Sequence, residues 1–441
     1  MSKSSLSWKP ATLVGYLLVL VGPSLIQAQD YYPAPGEQGS SNIKILGHLP
    51  GRATDIEIEQ DLDRPYAYVS RGGLASFDIM SLEDPDNPQK IYTWQIENAE
   101  LHQGSALDGK YFKLDSKYYY VQSFQFRQSG PDYDLGVIVF DVTGLPDISQ
   151  VREVARIREP LVPGGFHNIF LYKHSNGQVL LFGALLSATS AFVYDMDMVL
   201  KGNEDARIAE VPRPTPKEYR WRGYHDYYVA FDPGTGQDKF YGSGLNGYYV
   251  FDVTNLNEPE LLTSVTNFPG VDIAHTFTPS PDGRYAVGEM EYQHAPLLIF
   301  DLKPGLDGEV PTITRAIGSW TAKWQNLVHN HEVRWPYVFV SGYRDGLQVF
   351  NMIDPTNPYT VAYYDTFELP DIPGGPGMGG TFGVDVRNAD GLIVTSGRSG
   401  FWAFRMDGFH SWNGNDWGMP NISSVQDWDN GPEGVIPRPI S

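Results

Sequence analysis

The chain consists of short runs in which apolar and polar residues alternate, interrupted by Gly, Pro and Asp. Between residues 331 and 367 the runs "HEVRW", "YVFVSG", "GLQVFNM" and "YTVAYYDTF" follow one another, with the turn "DPTNP" before the last. Alternation with a period of two places successive side chains on opposite faces, which predicts half-buried antiparallel strands joined by tight turns. The Ala/Glu/Lys/Leu runs typical of helices are missing, so we expect an all-β fold.

This strand pattern recurs along the chain as a repeat. A strand ending in an aromatic–polar step, as in "GYYVFDVTNLNEP", appears seven times. The polar residue of the step falls at intervals of 49 to 63 residues, at Asp78, Asp141, Asp195, Asp252, Asp301, Asn351 and Arg405. One four-stranded sheet cannot bury both of its faces, whereas seven sheets stacked around an axis can. The sequence therefore predicts a seven-bladed β-propeller of four-stranded antiparallel blades.

The two ends of the array predict how the ring closes. The seventh copy stops after its third strand, and "NIKILGHLP" (residues 42–50) is a lone strand before the first copy. We expect this N-terminal strand to supply the outer strand of the seventh blade. The predicted organisation is a signal peptide over residues 1–28, a linker over 29–41, the propeller over 42–406 and an irregular tail over 407–441.

The copies resemble the LVIVD-repeat family, in which a buried strand and a Gly are followed by "GL-x-V-x-D-V" and a "DP" turn. The stretches "GLASFDIMSLEDP", "GYYVFDVTNLNEP" and "GLQVFNMIDPTNP" carry this resemblance, which covers roughly residues 43–405. The third copy, "LLSATSAFVYD", has no such turn and departs from the pattern. The resemblance implies a secreted seven-bladed propeller, and its motifs are structural, so it implies little about chemistry.

The N-terminus and the composition narrow the location and the chemistry. "MSKSSLSWK", "ATLVGYLLVLVG" and "PSLIQAQ" have the basic, apolar and short final regions of a cleaved export signal, which predicts a secreted or periplasmic protein without a membrane span. The chain has no cysteine, which excludes disulfides, thiolate metal ligands and cysteine nucleophiles. Its net charge of −21, which becomes −23 when Lys3 and Lys9 are removed with the signal, disfavours binding to nucleic acid.

Histidines recur at the start of the first strand in consecutive copies. In copies two to six this strand opens with "HQGSAL", "HNIFLY", "HDYYVAF", "HTFTPS" and "HEVRW", beginning at His102, His167, His225, His275 and His331. The first strand of a propeller blade lines the central channel, so these side chains are predicted to converge on the axis. His329 lies two residues before His331 and shares its face of the strand.

Imidazoles that arrive from several directions can bind Fe, Cu, Zn or Mn, and the sequence leaves the identity of the ion open. The predicted metal ligands are His167, His225, His275, His329 and His331. The candidate catalytic residues are His102, Glu289 and Tyr224, and Glu291 is a second carboxylate in the same loop region. Two alternatives stay open, because channel histidines can also hydrogen-bond ordered water or act as acids and bases without a metal ion.

Arginines recur in the loop between the second and third strands of several copies. This loop returns to the face where the first strand begins, and the arginines belong to copies one, two, six and seven, which are neighbours around a closed ring. We expect them to form an anion-binding rim, unless they are ion-paired or solvated surface residues. The four residues are Arg71, Arg127, Arg344 and Arg398.

Three functions fit these features. The first is a metalloenzyme acting on a small or anionic substrate, with oxidoreductase chemistry slightly favoured. The second is a lyase or a binding protein for an acidic polysaccharide, in which the arginines neutralise the uronate. The third is a non-catalytic protein-interaction propeller. The chain has no phosphate-binding loop, G-x-S-x-G or H-E-x-x-H motif, so nucleotide-dependent and conventional hydrolase functions have no sequence support.

Overall fold

In a computed structural model, the described residues are 38–102, 104–126, 130–214, 223–267, 271, 273–367 and 378–431. The predicted signal peptide and the predicted linker up to residue 37 lie outside them. So does Arg127, one of the four predicted rim arginines. None of the helices in the described part of the chain is long and apolar enough to cross a membrane.

Seven four-stranded antiparallel sheets follow one another along the chain. A single strand, β1 (Ile43–Leu49), precedes the first sheet. Blade one contains β2 (Ile56–Ile58), β3 (Tyr66–Arg71), β4 (Ser76–Ser81) and β5 (Gln89–Gln95). Blade two contains β6 (Gly104–Leu114), β7 (Lys117–Phe126), β8 (Leu135–Asp141) and β9 (Arg152–Arg158). Blade three contains β10 (Asn168–Lys173), β11 (Val179–Ala184), β12 (Ser190–Asp195) and β13 (Arg207–Pro212).

The remaining blades repeat the arrangement. Blade four contains β14 (Tyr224–Asp232), β15 (Gln237–Gly244), β16 (Gly247–Asp252) and β17 (Glu260–Thr266). Blade five contains β18 (Thr276–Pro279), β19 (Tyr285–Glu289), β20 (Leu297–Asp301) and β21 (Gly318–Trp320). Blade six contains β22 (Asn330–Arg334), β23 (Tyr337–Ser341), β24 (Leu347–Asn351) and β25 (Tyr359–Tyr364). Blade seven contains β26 (Thr381–Arg387), β27 (Leu392–Gly397) and β28 (Gly400–Met406).

The blades form a closed ring, which confirms the predicted seven-bladed propeller. The first strand of each blade contacts the first strands of its two neighbours, and β26 of blade seven contacts β2 of blade one. The second and third strands are almost wholly buried, as in β8 and β12, while the fourth strands β5 and β9 are largely exposed. Aromatic side chains fill the space between blades; Phe77 of blade one, for example, lies 4.7 Å from Tyr120 and 4.8 Å from Phe140 of blade two, measured between ring centroids.

The N-terminal strand closes the ring as predicted. Strand β1 pairs antiparallel with β28, from Ile43 opposite Met406 to Leu49 opposite Phe401. The seventh sheet therefore has the order β1–β28–β27–β26, and its outer strand comes from the opposite end of the chain. This pairing removes the free edge that β28 would otherwise expose.

Blade three replaces the expected turn after its third strand with a short helix, α1 (Met196–Leu200). Asp195, the last residue of β12, accepts hydrogen bonds from the backbone N–H groups of Asp197 and Met198 and so caps this helix. Blade five has a similar helical turn, α2 (Lys303–Leu306). Short 3-10 helices occur at Ala99–Leu101, Ile148–Gln150 and Gly414–Trp417.

The described part of the C-terminal tail, residues 407–431, packs against several blades. The indole of Trp412 donates a hydrogen bond to the Trp335 carbonyl at 2.9 Å. The side chain of Gln426 bonds to the backbone of blade three, accepting from Lys173 N–H at 2.6 Å and donating to the Leu171 carbonyl at 2.9 Å. These contacts hold the tail across one end of the channel.

Candidate metal centre

Four histidines occupy equivalent positions at the start of the first strands of blades three to six. His167, His275 and His329 each precede the first strand of their blade, and their backbone N–H groups donate to the carbonyl of the last residue of the second strand, Ala184, Glu289 and Ser341. His225 lies at a bulge between Tyr224 and Asp226 in the pairing of β14 with β15. The backbone pairing therefore presents all four imidazoles to one central cavity, which they line.

The four rings form a continuous arc. Ring centroids are 4.3 Å apart for His167 and His225, 4.1 Å for His225 and His275, and 4.8 Å for His275 and His329. The Nε2 atoms of His167 and His225 lie 2.9 Å apart. Two nitrogens that bind one ion at about 2.1 Å are separated by about 3 Å when they subtend a right angle. The contact is a hydrogen bond between the two rings, and its length also fits two ligands of a single ion.

Hydrogen bonds on the outer side of the rings orient three of the imidazoles. The Nδ1 of His167 lies 3.0 Å from Gln125 Oε1, and the Nδ1 of His329 lies 2.8 Å from the carbonyl oxygen of Phe382. Because these oxygens accept, Nδ1 carries the proton and Nε2 keeps its lone pair. The Nδ1 of His275 lies 2.7 Å from Glu289 Oε2 and 2.9 Å from Thr276 Oγ1. Metal-binding histidines usually have such partners on the second ring nitrogen.

His275 and Glu289 form the most deeply buried pair of the cluster. The Nε2 of His275 has no aligned hydrogen bond among the described residues, although the backbone carbonyl of His329 lies beside the ring. The Glu289 carboxyl group contacts His275 without an aligned hydrogen bond. Burial, together with the neighbouring His329 and His167, lowers the pKa of His275 well below its ordinary value. Burial, together with Glu291, raises the pKa of Glu289 well above its ordinary value. An uncharged imidazole with a free lone pair is the form that binds a metal ion.

Glu291 places a carboxylate beside the imidazoles. Its Oε2 lies 3.8 Å from the Nε2 of His275, and ligand atoms of Glu291, His225 and His275 lie within 4.8 Å of one another. The hydroxyl of Tyr343 donates a hydrogen bond to the other carboxylate oxygen, Oε1. Tyr343 is almost fully buried, and its ring lies 5.1 Å from that of His329. Glu291 is thus held within reach of an ion at the histidine cluster.

The cavity has a volume of about 300 Å³. The imidazoles line one part of it, together with Tyr343, Met378 and Phe382. Another part is lined by acidic residues of the first strands and reaches the tail, whose Ser424 and Gln426 border a smaller adjoining cavity. Among the described residues that line the main cavity, Lys110 is the only lysine, and none is an arginine.

The predicted ring of histidines requires two corrections. His329, and not His331, is the blade-six equivalent of His167 and His275, because its N–H bonds to the end of the second strand. His331 lines the cavity two residues further along β22, where burial lowers its pKa to about 3. The Val287 carbonyl lies beside this ring without an aligned hydrogen bond. His331 thus shares the cavity but not the position of the other four histidines.

His102 does not join the cluster. It follows the 3-10 helix Ala99–Leu101, stacks on Phe126 with ring centroids 4.6 Å apart, and places Nε2 3.4 Å from Asp132 Oδ2. Blade two presents Leu107 to the cavity instead, at an irregularity in the pairing of β6 with β7. The long first strand of blade two therefore displaces His102 from the position predicted for it.

The other two candidate catalytic residues do not line the cavity either. Tyr224 packs in the hydrophobic core, where its hydroxyl donates to the Pro212 carbonyl at 2.9 Å and burial raises its pKa well above the ordinary value. Glu289 lies behind His275, on the side away from the cavity, so its contact is with a candidate ligand.

None of the three described arginines of the predicted rim is among the residues that line the cavity. The guanidinium of Arg71 is 2.9 Å from Asp78 and lines a separate pocket under β1. The guanidinium of Arg344 lies over the ring of Phe367 at 5.4 Å. Arg398 is exposed at the loop after β27, and its charge acts on Tyr343, which lines the cavity. The anion-binding role of these residues stays a prediction.

The groups that orient the histidines could not be recognised from the sequence. Gln125 is an ordinary polar residue of β7, and Phe382 contributes only its backbone carbonyl. The contact between His167 and Gln125 crosses from blade three to blade two, and the contact between His329 and Phe382 crosses from blade six to blade seven. No local motif marks such contacts, because they depend on how neighbouring blades pack.

Comparisons with known proteins do not assign the chain to a family. No family model matches the chain, and no curated protein matches it in sequence. The resemblance to LVIVD repeats stays a prediction.

Proposed function

We propose that this protein is an exported metalloenzyme with one transition-metal ion held on the propeller axis by His225, His275 and Glu291, with His167 and His329 as flanking ligands. The observation that carries the proposal is the orientation of the rings. In three of the four imidazoles Nδ1 lies against an oxygen on the outer side of the ring, so that Nε2 is directed to the common centre. A channel lining that bound only water would not require this shared orientation.

The ligand set suits Fe, Cu, Zn or Mn, because imidazole binds all of these ions in proteins. Glu291 is close enough to add a carboxylate ligand. Ligands that come from one side leave the opposite side of an ion open to the cavity, which is the arrangement of catalytic sites, whereas structural sites are closed. A bound ion would supply Lewis-acid or redox chemistry there, and oxidoreductase chemistry is slightly favoured.

The acidic-polysaccharide alternative receives less support from the geometry. It requires arginines beside the histidines, and none of the cavity residues in the described part of the chain is an arginine. A non-catalytic interaction propeller would need neither the oriented imidazoles nor the cavity.

Metal analysis of the purified protein tests the proposal. We expect about one equivalent of a transition metal per chain, retained during dialysis, because several protein ligands hold it. The variants His225→Ala and His275→Ala should each lose most of the metal. His410→Ala is the matched control, since His410 is exposed and distant in sequence from the cluster.

Two outcomes would contradict the proposal. One is a folded wild-type protein that takes up no Fe, Cu, Zn or Mn after incubation with each ion. The other is metal that is lost equally from His410→Ala and from the cluster variants. Circular dichroism of every variant separates loss of ligands from loss of folding.

A further inference from the structure

The part of the cavity beyond the histidines is acidic. Six carboxylates line it, all on or next to the first strands of the blades, and we call them the acidic layer: Asp55, Glu57, Asp108, Asp226, Glu332 and Asp385. Backbone N–H groups fix several of them. Asp108 accepts from Ile169 N–H at 2.9 Å, and Asp385 accepts from Ile58 N–H at 2.9 Å. Hydrogen bonds to the backbone therefore fix the positions of these carboxyl groups.

The acidic layer already binds one ammonium group, that of Lys110. The Nζ atom of Lys110 lies 2.7 Å from Asp108 Oδ1, 3.6 Å from Asp55 Oδ2 and 3.6 Å from Glu57 Oε2. Three carboxylates from two neighbouring blades thus surround one cation in a buried setting. The contact shows which chemistry this surface accommodates.

The acidic layer has more carboxyl groups than there are positively charged side chains beside it. Beside Lys110, the described cation nearest to these carboxylates is Arg334, whose guanidinium is 2.8 Å from Glu332 and 3.8 Å from Asp385. Burial, with repulsion from Glu332, raises the pKa of Asp385 to about 7. Burial also raises the pKa values of Asp55 and Glu57 well above their ordinary values. A nearby additional cation would stabilise the ionised form of these carboxyl groups.

Two further features point to an organic cation. The rings of Phe170 and Tyr228 line the same cavity with centroids 5.1 Å apart, and aromatic faces attract ammonium groups. His331 also lines the cavity, and only 3% of its surface is exposed. Both of its ring nitrogens lack a hydrogen-bond partner among the described residues. A hard metal ion would need oxygen ligands on all sides, whereas an ammonium group uses both carboxylates and rings.

We propose that the cavity takes a substrate with an ammonium group, which the acidic layer binds while the rest of the molecule extends toward the histidine cluster. The second half of this statement rests on the proposed metalloenzyme function, and the first half does not. A cationic substrate thus takes the place of the anionic one expected from the arginines.

The test uses four probes that share a benzyl-sized ring: benzylamine, benzyltrimethylammonium, benzyl alcohol and benzoate. The quaternary probe has no lone pair, so it cannot bind as a metal ligand, and its binding reports the acidic layer alone. Isothermal titration calorimetry of the full chain measures each affinity, and metal content is determined on the same samples. The variants are Asp385→Asn and Glu57→Gln, with Asp307→Asn as control because Asp307 is exposed and pairs with Lys303 in helix α2.

We expect both cations to bind and benzoate not to bind. Asp385→Asn or Glu57→Gln should weaken the binding of both cations roughly tenfold or more, as for loss of a charged contact, while Asp307→Asn leaves it unchanged. Melting curves show whether each variant is folded, and a folded result for either variant is sufficient.

Tighter binding of benzoate than of the cations would overturn the inference, and so would the absence of binding by both cations. Ca²⁺ binding that Glu57→Gln abolishes, in a protein that binds neither cation, would also overturn it by making the layer a metal site. Cation binding by a protein that holds no transition metal would support a cation site at the acidic layer and contradict the proposed metalloenzyme function. The two failures are thus distinguishable.

Discussion

At the residue scale, the hydrogen bond made by Nδ1 of a histidine decides whether its Nε2 can bind an ion. The carbonyl of Phe382 fixes the proton of His329 on Nδ1, and the amide of Gln125 does the same for His167. A ring that is held in one tautomer and one orientation loses little entropy when it binds an ion. The chemistry of the cluster therefore depends on residues that contact no ion themselves.

Tyr343 affects the proposed metal centre by holding Glu291 in place. Its backbone has a left-handed φ of 46°, and its N–H and carbonyl pair with Thr381 of blade seven at 3.1 and 3.0 Å. Such a conformation is costly for a tyrosine and needs support from its surroundings. From this fixed position the hydroxyl bonds to Glu291 of blade five. We expect Tyr343→Phe to lower metal affinity roughly 10- to 100-fold, as loss of a partner of a metal ligand does.

Chelator competition measures this affinity, with Tyr359→Phe as the matched control because Tyr359 lies exposed on β25. Equal affinity in wild type and Tyr343→Phe would show that Glu291 needs no support from the tyrosine. A matching loss in Tyr359→Phe would point to a general effect on stability.

The sequence identified three of the four clustered histidines at the correct position, because the repeat fixed where each first strand begins. In blade six the prediction named both His329 and His331 as ligands and took His331 as the equivalent of His275. Both lie on one face of the strand, and only the backbone pairing shows that His329 is the equivalent residue. His102 was misplaced for a related reason. The irregular pairing of β6 brings Leu107 to the cavity. No residue in blade two indicates from the sequence that the pairing register shifts there.

At the element scale, the strand between Ile43 and Leu49 decides whether the ring is closed. It supplies the outer strand of blade seven and pairs along β28. Deletion of residues 1–49 should lower the melting temperature and promote association, because it removes ladder hydrogen bonds worth ~0.5–1.5 kcal/mol each and frees a strand edge. Scanning calorimetry and light scattering measure the two effects.

Deletion of residues 1–37 alone is the control for that experiment, since it leaves β1 in place. An equal melting temperature for both deletions would mean that β1 contributes nothing to closure.

An ion-pair cluster links the β26–β27 turn to β28. Asp390 accepts from Arg387 Nη2 and from Arg405 Nη2, both at 2.8 Å. Burial raises the pKa of Asp390, but the hydrogen bonds from Arg387 and Arg405 outweigh it and hold the pKa at about 2. Because the folded-state pKa is lower than that of the unfolded chain, this contribution to stability is complete above about pH 4 and is lost as the pH falls through about 2.

We therefore expect Asp390→Asn to reduce the free energy of unfolding by about 1–2 kcal/mol at neutral pH, allowing for partial solvent screening. The difference from wild type should shrink as the pH falls from about 4 toward 2. Urea unfolding at a series of pH values measures it. A difference that stays constant down to the lowest pH would show that the carboxylate's charge is not responsible.

At this scale the sequence predicted most of the fold. All seven aromatic–polar steps lie on the third strand of a blade, because turn residues and alternation mark such strands locally. Helix α1 was not predicted, since its five residues carry too little periodicity to be recognised. The absence of a "DP" turn in blade three was the only sign that something replaced it.

At the scale of the whole molecule, the propeller places chemistry along an axis that no single blade could supply. Imidazoles from blades three to six lie in one part of the cavity, and the acidic layer from blades one, two, four, six and seven lies in another. The tail reaches the acidic end, where Ser424 donates a hydrogen bond to Glu332. Ligands are therefore expected to enter from the histidine side, so that they meet the proposed metal centre before the acidic layer.

Anomalous diffraction from crystals of the metal-loaded protein tests the metal centre most directly. With data collected on both sides of the absorption edge of the bound ion, we expect one peak on the axis, about 2.1 Å from the Nε2 atoms of His225 and His275 and from the carboxylate of Glu291, with His167 and His329 beside it. A peak elsewhere on the protein, or no peak in crystals of folded protein soaked with Fe, Cu, Zn or Mn, would contradict it.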